Sequence, residues 1–157
     1  MEKRTTFIIA ITFIWVGYIC AISFMEAWLK FRAPGITTEL GLGIGQLVFN
    51  ALNKVEIICA ALIIVISLSY KENPKNNFKW LFIITVFIVL LQSFWLLPAL
   101  DERAVLVMNN QTVPKSSLHL WFVLCEVIKV TCLVLYGISK FKISKIKFIK
   151  NDYALFI

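Results

Sequence analysis

The apolar positions of the chain fall into four long, nearly uninterrupted runs that are separated by shorter polar segments. They cover about residues 7–25, 47–70, 80–97 and 118–138. A helix needs roughly 17–25 apolar residues to cross the hydrocarbon core of a bilayer, so each run has the length of a transmembrane helix. Strands of a membrane barrel would alternate polar and apolar residues, and these runs do not. The pattern predicts an all-α membrane protein in which residues 1–138 form a bundle of four transmembrane helices.

The segment between the first two runs contains clear break signals. Apolar and charged residues mix up to Arg32, as in a helix end that lies at the membrane interface. Pro34 and Gly35 then end that helix. Gly41 and Gly45 lie four residues apart, a spacing that favours close contact between membrane helices. We therefore expect an interfacial helix end, a sharp turn and a small-residue contact before the second span.

The third run ends at Pro98, but the chain beyond it is still partly apolar. Residues 104–108 continue the helical pattern past the position where a proline would kink the helix. We therefore expect the third helix to extend into the connection that precedes the fourth run.

Basic residues are distributed unevenly between the two sides of the predicted bundle. The chain is 60% hydrophobic, has a mean hydropathy of +0.84 and carries a net charge of +7. Of its 16 Lys and Arg residues, ten fall on the side that holds both termini, four on the opposite side and two within the spans. The positive-inside rule then places both termini in the cytoplasm. Residues 139–157 are predicted to form a basic cytoplasmic tail that contacts anionic lipid headgroups, and a bacterial cytoplasmic (inner) membrane is the predicted location.

The sequence contains none of the motifs that mark soluble enzymes. It has no phosphate-binding or dinucleotide-binding glycine motif, no nucleophile elbow and no zinc-protease motif. The four cysteines form no C-x-x-C pair and are interpreted as packing residues within the spans. His119 and Glu126 would supply only two ligands to a metal ion, fewer than a stable site requires. We predict no metal, no cofactor and no nucleic-acid partner.

Charged residues inside the runs indicate where a function would be located, because an ionised group within a bilayer is costly unless it is paired or wetted. At 1.5 Å per residue, Lys54 and Glu56 lie roughly 10–14 Å below the start of the second run. Glu126 and Lys129 lie roughly 12–17 Å below the start of the fourth run, which crosses in the same direction. We predict two contacts between these helices, Lys54 with Glu126 and Glu56 with Lys129.

Further polar residues extend this face into a candidate intramembrane site. At about 100° per residue, those of the second and fourth runs form one stripe on each helix. His119, the single histidine of the chain, would titrate near neutral pH just inside the mouth. Trp15, near the middle of the first run, is interpreted as a packing residue. The candidate site comprises Asn50, Asn53, Lys54, Glu56, Gln92, His119, Glu126 and Lys129, with an outer mouth formed by Glu26, Asp101 and Arg103.

Several short patterns resemble those of the eukaryotic transmembrane protein 205 family and its bacterial relatives. They are Trp15-x-Gly17, residues 31–34, Gly45 with Phe49, and Leu118-His119. The resemblance implies a four-helix bundle and no particular activity, and it assigns no catalytic residue. The charged residues within the second and fourth runs depart from the family pattern.

Three functions from different classes fit the polar face. The first is a protein that binds or transports a small solute or ion through a pocket open to the outer side, with Glu56 and Glu126 as its proton- or cation-responsive groups. The second is an accessory or assembly subunit whose polar stripe contacts a larger membrane protein or another copy of this chain. The third is a membrane oxidoreductase that acts on a lipid-soluble substrate. A purely structural role is also consistent with the four charges, since they sum to zero.

Overall fold

Four long helices account for nearly all of the structure. The computed structural model describes residues 3–69 and 79–154, with side chains of the last helix up to residue 143, and these residues include no strand. The helices are α1 (Lys3–Arg32), α2 (Thr38–Leu68), α3 (Lys79–Met108) and α4 (Leu118–Ala154). All four are long and apolar enough to cross a membrane, α4 through its Leu118–Ile143 part. The predicted all-α architecture with four potential spans is confirmed.

The helices form a ring in which each packs against two others. Helix α1 packs against α2 and α4, and α3 packs against the same two helices from the other side. The Arg4 guanidinium donates to the carbonyl oxygen of Ser69 at 2.9 Å, so the start of α1 lies beside the end of α2. We call the opposite end of the bundle, which carries the connections 33–37 and 109–117, the loop end. The cytoplasmic location of the termini stays a prediction.

The bundle is apolar on its outer surface as well as in its core. Trp15, Ile19, Ile63 and Leu133 are completely buried between the helices. Large apolar side chains also cover the outside, among them Phe7, Leu47, Leu68, Phe87, Phe94 and Leu120. A helix that is hydrophobic all round is typical of a membrane span, because lipid replaces water as its surroundings.

Helix α1 continues beyond the predicted first span and then breaks where the sequence indicates. It is α-helical over Lys3–Ile19, π-helical over Cys20–Glu26 and ends in a 3-10 turn at Arg32. Gly35 has a φ of +81°, a conformation that glycine adopts without steric cost. The Thr37 side chain then accepts a hydrogen bond from the Leu40 N–H at 3.3 Å and caps α2. Helix α2 thus begins well before residue 47, and residue 70, the predicted end of this span, lies outside the described residues.

Helix α3 passes through Pro98 without ending, as the sequence predicts. A π-helical segment, Gln92–Leu96, directly precedes the proline, and α-helical geometry resumes over Leu97–Met108. Pro98 has no N–H to donate to the preceding turn, and a widened turn is one of the ways in which a helix accommodates that loss. The same segment determines where the polar side chains of α3 point.

Candidate functional site

A lysine ammonium lies at the centre of the bundle between two carboxylates. Lys129 is 0% exposed, and its Nζ donates to Oε1 of Glu56 at 2.5 Å and to Oε1 of Glu126 at 3.0 Å. Glu56 belongs to α2, whereas Glu126 lies one turn from Lys129 on α4. The predicted contact between Glu56 and Lys129 is therefore present.

The two remaining helices each add one neutral donor to this group. Trp15 of α1 donates its indole N–H to Oε1 of Glu56 at 3.1 Å. Gln92 of α3 donates its amide N–H to Oε1 of Glu126 at 2.9 Å. Each of these side chains is at most a few per cent exposed. We call Trp15, Glu56, Gln92, Glu126 and Lys129 the buried network; it connects all four helices.

The buried network contains one more acidic group than basic groups. Two carboxylates, Glu56 and Glu126, face the single ammonium of Lys129. Two oxygens in it also have no hydrogen-bond partner, Oε2 of Glu126 and Oε1 of Gln92. A buried polar atom without a partner costs free energy, so these two atoms require a physical explanation.

Lys54 does not take part in the buried network, and its predicted contact with Glu126 is not formed. The Lys54 side chain is exposed on the outside of α2. At about 100° per residue, positions 54 and 56 are separated by about 200° around the helix, so the two side chains point away from each other. Because Glu56 is buried, the Lys54 side chain has to point to the outside of the bundle. The four predicted charges of α2 and α4 therefore do not come together as one neutral group.

Two other predicted site residues on α2 pair with α3 instead. Asn53 donates its side-chain N–H to the Ser93 hydroxyl at 2.8 Å, and that hydroxyl donates to the carbonyl oxygen of Val89 at 2.7 Å. One turn nearer the loop end, Asn50 donates to the carboxylate of Asp101 at 2.9 Å. These residues form a polar seam between α2 and α3 that is separate from the buried network.

The predicted mouth residues lie at the loop end, each with its own partner. Glu26 pairs with the Lys30 ammonium at 3.2 Å, and Arg103 donates to the carbonyl oxygen of Pro114. His119 is exposed at the start of α4, above the buried network rather than in it.

A cavity of about 300 Å³ lies at the loop end between the ends of all four helices. Most of its wall is apolar, with polar groups from Lys30, Gln46, Asp101 and His119. The sequence predicts a pocket lined by the polar residues within the spans, whereas this cavity is lined mainly by hydrophobic side chains, and of the eight predicted intramembrane residues only His119 lines it. None of the buried network's residues lines it.

An apolar layer separates the cavity from the buried network. The rings of Phe49 and Phe122 meet edge to face, with their centroids 5.2 Å apart and their planes at 82°. Both residues line the cavity, and Phe122 also packs against Leu96 and Leu97. Phe122 lies one helical turn from Glu126 on the same helix. The two aromatic rings therefore form the floor of the cavity, and the charged groups lie beneath it.

The wall of the cavity depends on two glycines of α2. A Cβ atom at Gly41 would lie 2.1 Å from the Phe31 ring, and one at Gly45 would lie 3.0 Å from the Lys30 ammonium nitrogen. The end of α1 therefore packs directly on the α2 backbone. The predicted small-residue contact is present, within this chain rather than between copies of it.

The role of Trp15 could not be read from its sequence position, because tryptophan within a span is usually a packing residue. Its indole N–H is the one signal that could have identified it, since a buried indole usually donates to an acceptor. Thr85, which shares a face with Gln92 in the sequence, is buried but donates to the carbonyl oxygen of Leu81. The described residues contain no group of three His, Cys, Asp or Glu that could hold a metal ion.

Comparisons with known proteins identify no relative of this chain. No protein-family model matches the sequence, and neither a curated protein nor a solved structure matches it. The resemblance to the transmembrane protein 205 family stays a prediction.

Proposed function

We propose that this chain is an integral membrane protein that binds a small amphipathic solute in the loop-end cavity and transports it in a charge-dependent manner. The observation that carries the proposal is the Lys129-centred network, which joins all four helices beneath the cavity. Ionisable groups buried inside a span are expensive and commonly mark ion or substrate pathways. A change of charge there would alter contacts in every helix at once.

The cavity indicates the class of solute. A volume of about 300 Å³ with a mainly apolar lining and a few polar groups is typical of a small-molecule site. Phe31, Phe49 and Phe122 would contact an apolar or aromatic body, while Lys30 or Asp101 would contact a polar end group. The Lys30 ammonium already lies 5.4 Å from the centroid of the Phe49 ring, so charge and aromatic surface are adjacent.

The proposed topology places the loop end outside and both termini in the cytoplasm of a bacterial inner membrane. Its support is the excess of Lys and Arg on the side of the termini. In this orientation the cavity faces the outer medium, and the Phe49–Phe122 floor closes the path inward.

A binding screen tests the proposal. Purified protein in lipid nanodiscs is heated in the presence of small molecules that carry one aromatic ring and one charged group. Acids and amines are tested in separate arms. We expect one of these arms to raise the unfolding temperature. Ala104→Phe, which fills the cavity, should abolish that rise, whereas Ala51→Phe on the exposed face of α2 should preserve it.

Uptake of the same compounds into proteoliposomes then tests whether the protein transports them. We expect Glu126→Gln to abolish uptake while the compound still binds. The proposal is wrong if Ala104→Phe binds as well as the wild type, or if Glu126→Gln and Lys129→Met both leave uptake unchanged.

Lys54 favours a second candidate function, that of an accessory or assembly subunit. Its ammonium is exposed within the apolar part of α2 and makes no ion pair among the described residues. Such a group is stabilised when its stem extends toward the interface or when a carboxylate of another membrane chain covers it. Native mass spectrometry of the complex extracted in mild detergent separates the two functions. A stoichiometric larger partner that is lost in Lys54→Met, but kept in Lys115→Met, would support the subunit role.

A further inference from the structure

We propose that Glu126 is a proton-binding site, in which the acid form of its carboxyl group forms a reciprocal pair of hydrogen bonds with the Gln92 amide. The inference deepens the proposed transport function by naming the coupled ion, and its use in transport rests on that function. The protonation of Glu126 is inferred from the contacts and charges of the buried network and does not depend on transport.

The first argument is the balance of charge. With Glu56, Glu126 and Lys129 all ionised, the buried network would carry one net negative charge at 0–3% side-chain exposure. An uncompensated charge in a low-dielectric interior is strongly disfavoured, and a proton removes it. The other candidate cation, Lys54, is on the outside of the bundle.

The second argument is the pair of oxygens without partners. Gln92 already donates through Nε2 to Oε1 of Glu126 at 2.9 Å. The remaining atoms of these same two groups, Oε2 of Glu126 and Oε1 of Gln92, are buried and both lack a donor. A single proton on Oε2 would donate to the amide oxygen and provide both atoms with a partner. A carboxylic acid and a primary amide pair in this two-bond manner because each has one donor beside one acceptor.

The proton belongs on Glu126 rather than on Glu56 because their surroundings differ. Oε1 of Glu56 accepts hydrogen bonds from both the Lys129 ammonium and the Trp15 indole, and these donors stabilise the ionised form. Glu126 shares the Lys129 ammonium at the longer distance of 3.0 Å and has an oxygen free to carry a proton. Among the described residues, the titratable groups near the Glu126 carboxyl are Glu56, Lys129 and the thiols of Cys59 on α2 and Cys125 on α4. Helices α1 and α3 contribute the neutral donors Trp15 and Gln92.

An alkali cation fits the site less well than a proton. Hard cations are held by about six or more oxygen ligands. The two unpartnered oxygens of Glu126 and Gln92 fall well short of that number, and the nearby Lys129 ammonium would repel a second cation. The experiment therefore includes a sodium arm.

Infrared spectroscopy of the full-length protein in lipid bilayers tests the assignment directly. At pH 7 in sodium-free buffer we expect the carbonyl band of a protonated carboxylic acid, and the band should shift when glutamate is labelled with ¹³C. It should disappear in Glu126→Gln and remain in Glu102→Gln, whose side chain is exposed. In Gln92→Leu, which removes the acceptor and keeps the size, the band should move to higher frequency. This variant decides the question if Glu126→Gln fails to fold.

Three results would overturn the proposal. They are the absence of an acid band at pH 7, a band that is insensitive to both the Glu126 and the Gln92 variants, and a band that sodium chloride removes while choline chloride does not. The last result would assign the site to an alkali cation. Solute binding is measured separately, so either proposal can fail while the other stands.

Discussion

The Lys129 ammonium lies 2.5 Å from the Glu56 carboxylate, although the two residues are 73 positions apart in the chain. Their contact joins α2 to α4 at a level where neither side chain reaches water. A buried ion pair adds little net stability compared with an apolar replacement, because both groups lose their hydration. It does specify which helix faces meet, and the loss of one partner leaves the other charge exposed to a low dielectric.

Lys129→Met should therefore destabilise the protein strongly. The substitution leaves the ionised Glu56 carboxylate without its cation, and the loss of one partner of a buried pair costs roughly 3–5 kcal/mol. Denaturant-induced unfolding in mixed micelles measures this change. The double variant Glu56→Gln with Lys129→Met should recover much of the loss, because the unpaired charge on Glu56 is removed as well. Equal stability of the single and double variants would contradict this assignment.

Lys54→Met should not reduce stability. The side chain is exposed and makes no ion pair among the described residues, so no buried partner is abandoned. Met removes an unpaired charge from the apolar part of a span and breaks no ion pair, so the free energy of unfolding should stay the same or rise. The same unfolding assay compares it with Lys129→Met, and a large loss at position 54 would mean that the lysine turns inward.

Trp15→Phe should destabilise the bundle by about 1.5–3 kcal/mol, the range for a hydrogen bond to a charged group. Phe is smaller than Trp and leaves part of the indole volume empty, and Glu56 also loses the indole donor at 3.1 Å. Trp28→Phe is the matched control, because its exposed indole donates to the Phe24 carbonyl oxygen of its own helix. Because Trp15 is completely buried and Trp28 is 49% exposed, the difference between the two unfolding free energies contains the lost packing as well as the lost hydrogen bond. Equal effects would contradict the prediction.

Gly41→Ala should disturb the cavity more than Gly43→Ala. A Cβ atom at position 41 would overlap the Phe31 ring, whereas at position 43 its nearest neighbour is the Met108 sulfur at an ordinary 3.6 Å. Overpacking costs typically 1–3 kcal/mol, while Gly to Ala within an open helix gains up to about 1 kcal/mol. Thermal unfolding in nanodiscs should show opposite signs for the two variants. A gain at both positions would mean that Phe31 moves aside freely.

Phe122→Ala should open the cavity floor and admit water toward Glu126. The residue is 4% exposed and lies between the cavity and the turn that carries the carboxylate. Cys125, which packs against this apolar cluster, reports the change when the other three cysteines are replaced by alanine. Its rate of reaction with a hydrophilic maleimide should rise at least several-fold. Phe94→Ala, on the exposed face of α3, should leave the rate unchanged.

The sequence was sufficient to predict the helices and one of the two cross-helix contacts. Four apolar runs determine the number of spans, and equal depth along two helices that cross in the same direction brings Glu56 to Lys129. Depth alone did not determine rotation, which is why the predicted contact of Lys54 with Glu126 was wrong. Two residues that are two positions apart on a helix lie about 200° apart around it, so they cannot both face the same neighbouring helix.

Other features depend on packing that no sequence pattern reveals. The π-helical segment that begins at Gln92 shifts the register of α3. The Gln92 side chain therefore reaches Glu126, while the Ser93 hydroxyl contacts Asn53. The edge-to-face contact of Phe49 with Phe122 closes the loop-end cavity above the charged groups. Trp15 differs from an ordinary packing residue only in that its indole N–H donates to the Glu56 carboxylate, a contact that the sequence does not show. The roles proposed for the eight intramembrane residues and three mouth residues stay predictions.

The convergence of four helices on one buried network limits how the length of this chain can vary in evolution. One residue inserted between Lys3 and Trp15 would rotate the indole by about 100° relative to the residues before the insertion, and a similar insertion in any other helix would rotate its member of the buried network in the same way. Insertions in the connections 33–37 and 109–117 would leave that geometry intact. Homologous sequences should therefore differ in length at the loop end and keep constant spacing within the spans.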